Sequence, residues 1–277
     1  MIAVSVASIF GREAVVHTQD GKEINLQNIS LSSRDATCFG TSRAEHLLRV
    51  YKTDGTAIGV PIENVTRIAK QEETSVYLVV FKWRGATNEV KGTIGEALII
   101  ADHSLGRLEL QLSQLKQLAF SDSPSEVGLD ASNMQRNHNA ATFVMPDGKS
   151  FSLEDVEVNT GFNSKWRKPV MEPGFGPGTY EWAYASGSRS VNYLEPMIAG
   201  QKQTIFLWNI VSAEIKSATD LSVLGKDGTK MDIKLPDENR LVGFNGVSEK
   251  EGLVFVPLGK ITKVTFVWKE KSPQEQK

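Results

Sequence analysis

Two apolar spacings alternate along this chain. Apolar residues first occupy every second position, as in a β-strand that buries one face, and the next apolar residue follows three positions later. In "VPIENVTRI" the alternating pair is Val60 and Ile62, and the residue that follows is Val65. A three-residue step fits one tight 3₁₀ turn that returns the chain to the same core. The spacing therefore predicts a strand, a 3₁₀ turn and a second strand.

This pattern recurs at irregular intervals. Its copies are Ile24/Leu26/Ile29, Val60/Ile62/Val65, Leu110/Leu112/Leu115, Phe151/Leu153/Val156, Ile205/Leu207/Ile210 and Val256/Leu258/Ile261. The last apolar residue of each copy should be buried, including Val65, Leu115 and Ile261. Because the intervals differ, a solenoid with a fixed repeat length is not expected.

The dipeptide Asp-Gly separates apolar-alternating runs at four places: Asp20-Gly21, Asp54-Gly55, Asp147-Gly148 and Asp227-Gly228. Such a pair predicts a two-residue type I′ hairpin turn, which requires positive φ at both central residues. Gly55 and Gly228 should therefore have positive φ. Sustained helical periodicity is missing, so the chain is predicted to be mainly β with little helix.

The strand, 3₁₀ turn, strand segments are similar to the closing segment of small Sm-like and Src-homology-type barrels. The stretch "GVPIENVTRI" carries this resemblance in the placement of its proline and asparagine. It implies tandem small β-barrel or sandwich-like units built from Asp-Gly hairpins and these closures.

Composition along the chain predicts two β domains. The first covers residues 1–120, and a polar linker follows at 121–140. The second covers 141–268 and includes a long loop at 161–200 that is rich in aromatic residues, glycine and proline. The polar residues 269–277 are expected to form a flexible tail.

Charge and cysteine content exclude several classes of function. The 277 residues carry a formal net charge of -2, which provides no field for binding a polyanion such as nucleic acid. Cys38 is the single cysteine, so an intramolecular disulfide is impossible. No apolar run reaches the roughly 18–20 residues that span a bilayer. A soluble protein is expected, with an extracytoplasmic location (periplasmic or secreted, signal sequence removed) favoured over the cytoplasm.

The motifs of common enzymes are missing from the sequence. The four histidines are scattered without metal-ligand spacing, and no Gly-x-Ser-x-Gly elbow occurs. "GFGPG" at 174–178 is interrupted by Pro177 and has no apolar strand before it, so it does not resemble a phosphate-binding loop. No catalytic residue, cofactor site or metal site is therefore predicted, and the protein is not expected to be an enzyme.

One stretch concentrates aromatic residues. The candidate partner-binding residues within it are Trp166, Phe175, Tyr180, Trp182 and Tyr184. The last three alternate, so they would share one face of a strand. They form either the core of the second domain or an exposed surface that stacks on a partner.

These observations favour a non-catalytic, bacterial-type β-rich interaction or structural module that acts as a scaffold. Its partner would be a protein, a glycan or a second copy of the chain. The alternative is a hydrolase-type enzyme whose site is assembled from scattered polar residues and leaves no linear motif.

Overall fold

The chain is almost entirely β-structure in the part that the computed structural model describes. These residues are 12–33, 47–71, 74–95, 97–104, 106–121, 139–169, 180–198 and 200–268, with the backbone alone described for 32–33, 162–169 and 180–187. Short 3₁₀ turns are the sole helical elements among them. The prediction of a mainly β protein with little helix is confirmed.

Ten strands form the first half of the chain. They are β1 (Ala14–Thr18), β2 (Glu23–Ser33), β3 (Leu47–Tyr51), β4 (Ala57–Pro61), β5 (Val65–Lys70), β6 (Val76–Trp83), β7 (Ala86–Ile94), β8 (Ala97–His103), β9 (Gly106–Gln111) and β10 (Leu115–Phe120). All pairs are antiparallel, and the spatial order is β9-β8-β2-β1-β10-β5-β6-β7-β3-β4.

Thirteen strands form the second half of the described chain. They are β11 (Asn139–Val144), β12 (Ser150–Pro169), β13 (Tyr180–Val191), β14 (Tyr193–Leu194), β15 (Met197–Ile198), β16 (Gln201–Lys202), β17 (Ile205–Phe206), β18 (Ile210–Ile215), β19 (Asp220–Gly225), β20 (Lys230–Lys234), β21 (Leu241–Ser248), β22 (Gly252–Pro257) and β23 (Lys263–Trp268). The order of the main sheet is β22-β21-β12-β11-β23-β18-β19-β20, again antiparallel.

The second half repeats the topology of the first. The order β22-β21-β12-β11-β23-β18-β19-β20 corresponds strand for strand to β9-β8-β2-β1-β10-β5-β6-β7. The sequence around the first turn repeats as well, since "QDGKEINL" in one half matches "PDGKSFSL" in the other. An internal duplication therefore underlies the fold. The duplication does not follow from the short apolar pattern, because the copies of that pattern are irregularly spaced.

Four of the six apolar repeats do form 3₁₀ turns. These turns are Ile62–Asn64, Leu112–Gln114, Leu207–Asn209 and Leu258–Lys260. The residues that follow them, Val65, Leu115, Ile210 and Ile261, are at most 4% exposed. The predicted burial of Val65, Leu115 and Ile261 is confirmed. A further 3₁₀ turn at Asp237–Asn239 lies outside the pattern.

The other two repeats are β-bulges, so the prediction of 3₁₀ turns there is wrong. β2 and β12 continue through both sites, and their pairing registers shift between Gln27 and Ser30 and between Glu154 and Glu157. Asn28 and Asp155 provide the extra residue at φ 52 and 48. Asparagine and aspartate tolerate positive φ better than other non-glycine residues. A three-residue step therefore cannot distinguish a bulge from a 3₁₀ turn.

The Asp-Gly turns are hairpins with three-residue loops. Gly21, Gly55, Gly148 and Gly228 have φ between 80 and 85, which confirms the prediction for Gly55 and Gly228. None of the preceding aspartates has positive φ, so the predicted type I′ geometry is wrong. Each glycine N–H donates to the residue three positions earlier, as in a type I turn followed by a glycine bulge.

A type I′ turn occurs instead between β6 and β7. Trp83 pairs with Ala86, and the two residues between them, Arg84 and Gly85, have φ 50 and 79. This is the hairpin geometry that the Asp-Gly pairs had been expected to adopt.

Each half has its own buried cluster, and one strand joins the halves. β22 pairs with β21 on one side and with β4 on the other, through Leu253–Gly59, Val254–Ile58 and Phe255–Ala57. Val247, Leu253 and Phe255 of the second half belong to the core of the first, while the second core is formed by residues of 141–266. No set of strands closes into a barrel within the described chain, and one large antiparallel sheet runs through both halves.

Part of the predicted loop at 161–200 is regular structure. Residues 161–169 continue β12 and residues 180–191 form β13, and these segments pair in register from Gly161–Ser188 to Pro169–Tyr180. The loop prediction is therefore wrong for both segments. Glycine and proline content suggested irregular backbone, but the described strands contain few of those residues. Most of the predicted linker 121–140 and all of the tail 269–277 lie outside the described residues.

Candidate functional site

The predicted aromatic residues fall mainly on the β12–β13 hairpin. Trp166 lies in β12, while Tyr180, Trp182 and Tyr184 lie in β13. Phe175 lies outside the described residues. Tyr180, Trp182 and Tyr184 occupy alternating positions of one strand, as the sequence predicts.

The register separates Trp166 from the other aromatic residues. Position 182 pairs with Arg167 and position 184 with Lys165, whereas Trp166 pairs with Ala183. Directly paired residues belong to the same alternating set of an antiparallel pair. The set that contains Tyr180, Trp182 and Tyr184 therefore also contains Lys165 and Arg167, and Trp166 belongs to the other set.

The outer part of this hairpin extends past the neighbouring strand. The pairing of β12 with β21 ends at Thr160–Leu241, and residues 162–169 and 180–187 pair with each other and with no other described strand. We call these two segments the arm. At about 3.4 Å per residue, the eight residues of 162–169 span roughly 27 Å. A two-stranded ribbon is marginally stable by itself, so its base needs support.

A half-buried carboxylate connects the segments near the base of the arm. Glu195 accepts hydrogen bonds from Arg189 Nη2 at 2.9 Å and from Asn239 Nδ2 at 3.0 Å, both on Oε2. Its Oε1 lies 3.0 Å from Lys202 Nζ. The Glu195 side chain is 17% exposed, so these contacts are partly shielded from solvent. They connect β13, β16 and the Asp237–Asn239 turn to the segment after β14.

A second polar cluster lies within the sheet beside the arm. Asn245 on β21 donates from Nδ2 to Ser190 Oγ on β13 at 2.5 Å. Glu157 pairs with Asn245, and Asn159 pairs with Ser190. Glu157, Asn159 and Asn245 are all at most 7% exposed. The Oδ1 atom of Asn245 is buried without a hydrogen-bond partner, which is costly unless a further group reaches it.

Three described aromatic side chains, on the paired strands β14 and β17 and in the turn after β17, form a cluster. Phe206 and Trp208 stack with ring centroids 4.1 Å apart and an interplanar angle of 8°. Tyr193 contacts Phe206 edge-on at 6.2 Å. Trp208 is 40% exposed, because it occupies the outward middle position of the Leu207–Asn209 turn. We call Tyr193, Phe206 and Trp208 the aromatic corner.

Sequence reasoning missed most of this corner. Tyr193 lies in the aromatic stretch of the sequence, but Phe206 and Trp208 stand between the repeat residues Ile205, Leu207 and Ile210 and are not among the predicted site residues. The positions between core residues face away from the core, so aromatic residues there were a signal of a surface cluster.

Hydrogen bonds within turns lower the pKa values of three described aspartates. The backbone N–H of Lys149, and then its side chain, hold the pKa of Asp147 below its usual value. The backbone N–H and the hydroxyl of Thr229 lower the pKa of Asp227 in the same way. Ser217 and Thr219 hydroxyls lower the pKa of Asp220. In each case the ionised carboxylate accepts hydrogen bonds within its own turn.

Other kinds of site have little support in the described residues. They contain no cluster of three or more histidine, cysteine, aspartate or glutamate residues that could hold a metal ion. An open depression of about 460 Å³ lies between the first hairpin and the Leu112–Gln114 turn, with Asp20 and Leu110 in its lining. Among the same residues no helix is long and apolar enough to cross a membrane.

Comparisons with known proteins add no relative. Protein-family models, curated proteins and solved structures all give no match to this chain. The fold and the site define an internally duplicated, antiparallel β protein with an aromatic hairpin extension.

Proposed function

We propose that this protein is a non-catalytic interaction module, and that the arm and the aromatic corner together form its partner-binding surface. The partner is an extended protein segment or a glycan chain, and the two β halves act as the rigid scaffold that carries the surface. The arm is the observation that carries the proposal, because it extends beyond the sheet and concentrates four of the predicted aromatic residues.

The chemistry of the arm suits recognition. Tyrosine and tryptophan supply a large contact area at low cost in side-chain entropy. Lys165 and Arg167 pair directly with the aromatic positions 184 and 182, and they would add hydrogen-bond donors to the same surface. The aromatic corner would add to this surface, because the exposed Trp208 ring stacks on Phe206 and Tyr193 of the same cluster lies two residues after the end of β13.

Support at the base fits a binding element that must keep its orientation. Glu195 joins three segments there through charged hydrogen bonds. Hydrogen bonds to charged groups contribute about 1.5–3 kcal/mol each when they are well shielded. A pre-organised arm would lose less conformational entropy on binding than a flexible one. An extracytoplasmic location remains part of this proposal, since glycan and protein partners are both available there.

Substitutions in the arm test the proposal. We expect Trp182→Ala and the double change Trp166→Ala with Trp182→Ala to leave the folded state intact, measured by far-ultraviolet circular dichroism and thermal melting. The same variants should lose binding in affinity electrophoresis against a panel of soluble polysaccharides or on a peptide array. Val267→Ala is the matched control, because Val267 is an apolar side chain that is 59% exposed on β23.

Two outcomes would count against the proposal. If the tryptophan variants fail to fold, their rings belong to a core. If they fold and keep every interaction of the unmodified protein, the arm is not the binding surface. Trp208→Ala separates the contribution of the aromatic corner from that of the arm, and its thermal melt is measured beside its binding because the ring stacks on Phe206.

A further inference from the structure

β9 forms one edge of the sheet in the described structure. It pairs with β8 and with no other described strand. Arg107 and Glu109 are exposed, whereas Leu108 and Leu110 are half-buried. The free side of an edge strand presents backbone N–H and C=O groups that another strand can pair with.

The equivalent strand of the second half already makes such a pairing. β22 corresponds to β9 in the duplication, and it pairs with β4. The central pair of that junction is Val254 with Ile58, and each of these residues lies four positions before the start of its own 3₁₀ turn. The two strands are therefore related by a local two-fold axis through the central pair.

The same register can be applied to β9. Its 3₁₀ turn starts at Leu112, so the residue four positions earlier is Leu108. If two copies of β9 paired about a two-fold axis at Leu108, Arg107 of each copy would lie opposite Glu109 of the other. Oppositely charged residues that are directly paired on antiparallel strands attract. The edge is self-complementary in this register.

We propose that β9 pairs with β9 of a second copy of this chain, antiparallel and centred on Leu108, to form a two-fold symmetric dimer. The two-fold arrangement uses each attractive charge pair twice, as isologous contacts do. A foreign strand with like charges opposite Arg107 and Glu109 would be repelled, and one with neutral residues there would gain no charge pair. This surface is separate from the arm, so the dimer does not depend on the proposed binding function.

Charge reversal provides the test. Analytical ultracentrifugation at low salt, from about 1 to 200 μM protein to bracket a weak interface, should show a monomer–dimer equilibrium for the unmodified chain. Arg107→Glu and Glu109→Arg should each weaken the dimer about tenfold or more, because two attractive pairs become two repulsive pairs. The double swap of both residues should restore dimerisation.

Mixing the two single variants gives the sharpest result. Arg107→Glu carries glutamate at both positions and Glu109→Arg carries arginine at both, so a mixed pair has two attractive contacts again. We expect a heterodimer from the mixture of two monomeric variants. Lys91→Glu is the charge-matched control, since Lys91 is an exposed residue on β7, and it should not affect the dimer.

Three results would overturn the proposal. These are a monomer at all concentrations, a dimer that both single variants leave unchanged, or a mixture that stays monomeric. Trp182→Ala should dimerise like the unmodified chain, so failure of the dimer and failure of the arm proposal are distinguishable.

Discussion

Truncation of Ile261 tests whether the residue after a 3₁₀ turn closes a core. Ile261 is 4% exposed and belongs to the core of the second half. Ile261→Ala removes three buried carbon atoms, which corresponds to about 2.4 kcal/mol of lost transfer free energy at about 0.8 kcal/mol per group. The cavity left behind adds on the order of 1–2 kcal/mol if the site relaxes partly. The expected loss in the free energy of unfolding is therefore about 3.5–4.5 kcal/mol.

Urea unfolding followed by far-ultraviolet circular dichroism measures this loss, since the signal reports the whole sheet. The neighbouring Lys260 is the matched control because it lies in the turn but outside the core clusters. Lys260→Ala should change stability by no more than about 0.5 kcal/mol. Equal sensitivity at both positions, or a loss below about 1 kcal/mol for Ile261→Ala, would refute the proposed role of the turn.

Three further predictions concern a buried cation, a turn glycine and a surface carboxylate. Arg12 is 3% exposed, and its Nη1 lies 2.8–3.0 Å from the carbonyl oxygens of Ile62, Glu63 and Val65. Arg12→Met should lower the free energy of unfolding in urea by about 2–4 kcal/mol, since charged hydrogen bonds contribute about 1.5–3 kcal/mol each. Arg12→Lys should recover part of this loss. Gly228→Val should lower the free energy of unfolding by on the order of 1 kcal/mol, because the φ of Gly228 is +82. Gly259→Ala is the control: Gly259 has an ordinary φ and open space around it, so this change should be neutral or slightly stabilising in thermal melts. The side chains of Lys22 and then Thr18 lower the pKa of Asp20 to about 2, below its value of about 3.9 in an unfolded chain. The contribution of this carboxylate to stability is therefore present above about pH 4 and is lost as the pH falls through about 2. The difference in urea midpoint between the unmodified chain and Asp20→Asn should shrink from pH 5 to pH 2, and a constant difference would contradict the shift.

Local features of this fold could be predicted from the sequence because their causes are local. Positive φ at Gly55 and Gly228 follows from the absence of a Cβ atom, and burial of Val65 follows from its spacing along one turn of chain. The turn type was mispredicted because an Asp-Gly pair serves equally in a two-residue and in a three-residue loop. In the latter, aspartate accepts the N–H two residues later, as Asp54 does from Thr56 at 2.9 Å.

The candidate site could be predicted only in part because its geometry depends on distant residues. Alternation located Tyr180 and Trp182 on a strand, but the pairing of that strand with β12 could not be read from glycine and proline content. The partly buried contact between Asn245 and Ser190 joins residues 55 positions apart. Asparagine and serine are mostly exposed in proteins, so composition gave no reason to place them inside the sheet.

The equivalent strands of the two halves, β22 and β9, differ in the residue types that they carry. β22 has buried apolar residues at Leu253 and Phe255, which belong to the core of the first half, and it pairs with β21 and β4 on its two edges. The equivalent positions of β9, counted from the 3₁₀ turn, hold Arg107 and Glu109. Charged residues on an edge prevent indiscriminate pairing, but the alternation of opposite charges about Leu108 admits a partner with the same sequence. A strand that only needed protection could carry one sign of charge, and like charges would then repel a second copy. The mixed charges of β9 are therefore better explained by selective pairing than by protection alone.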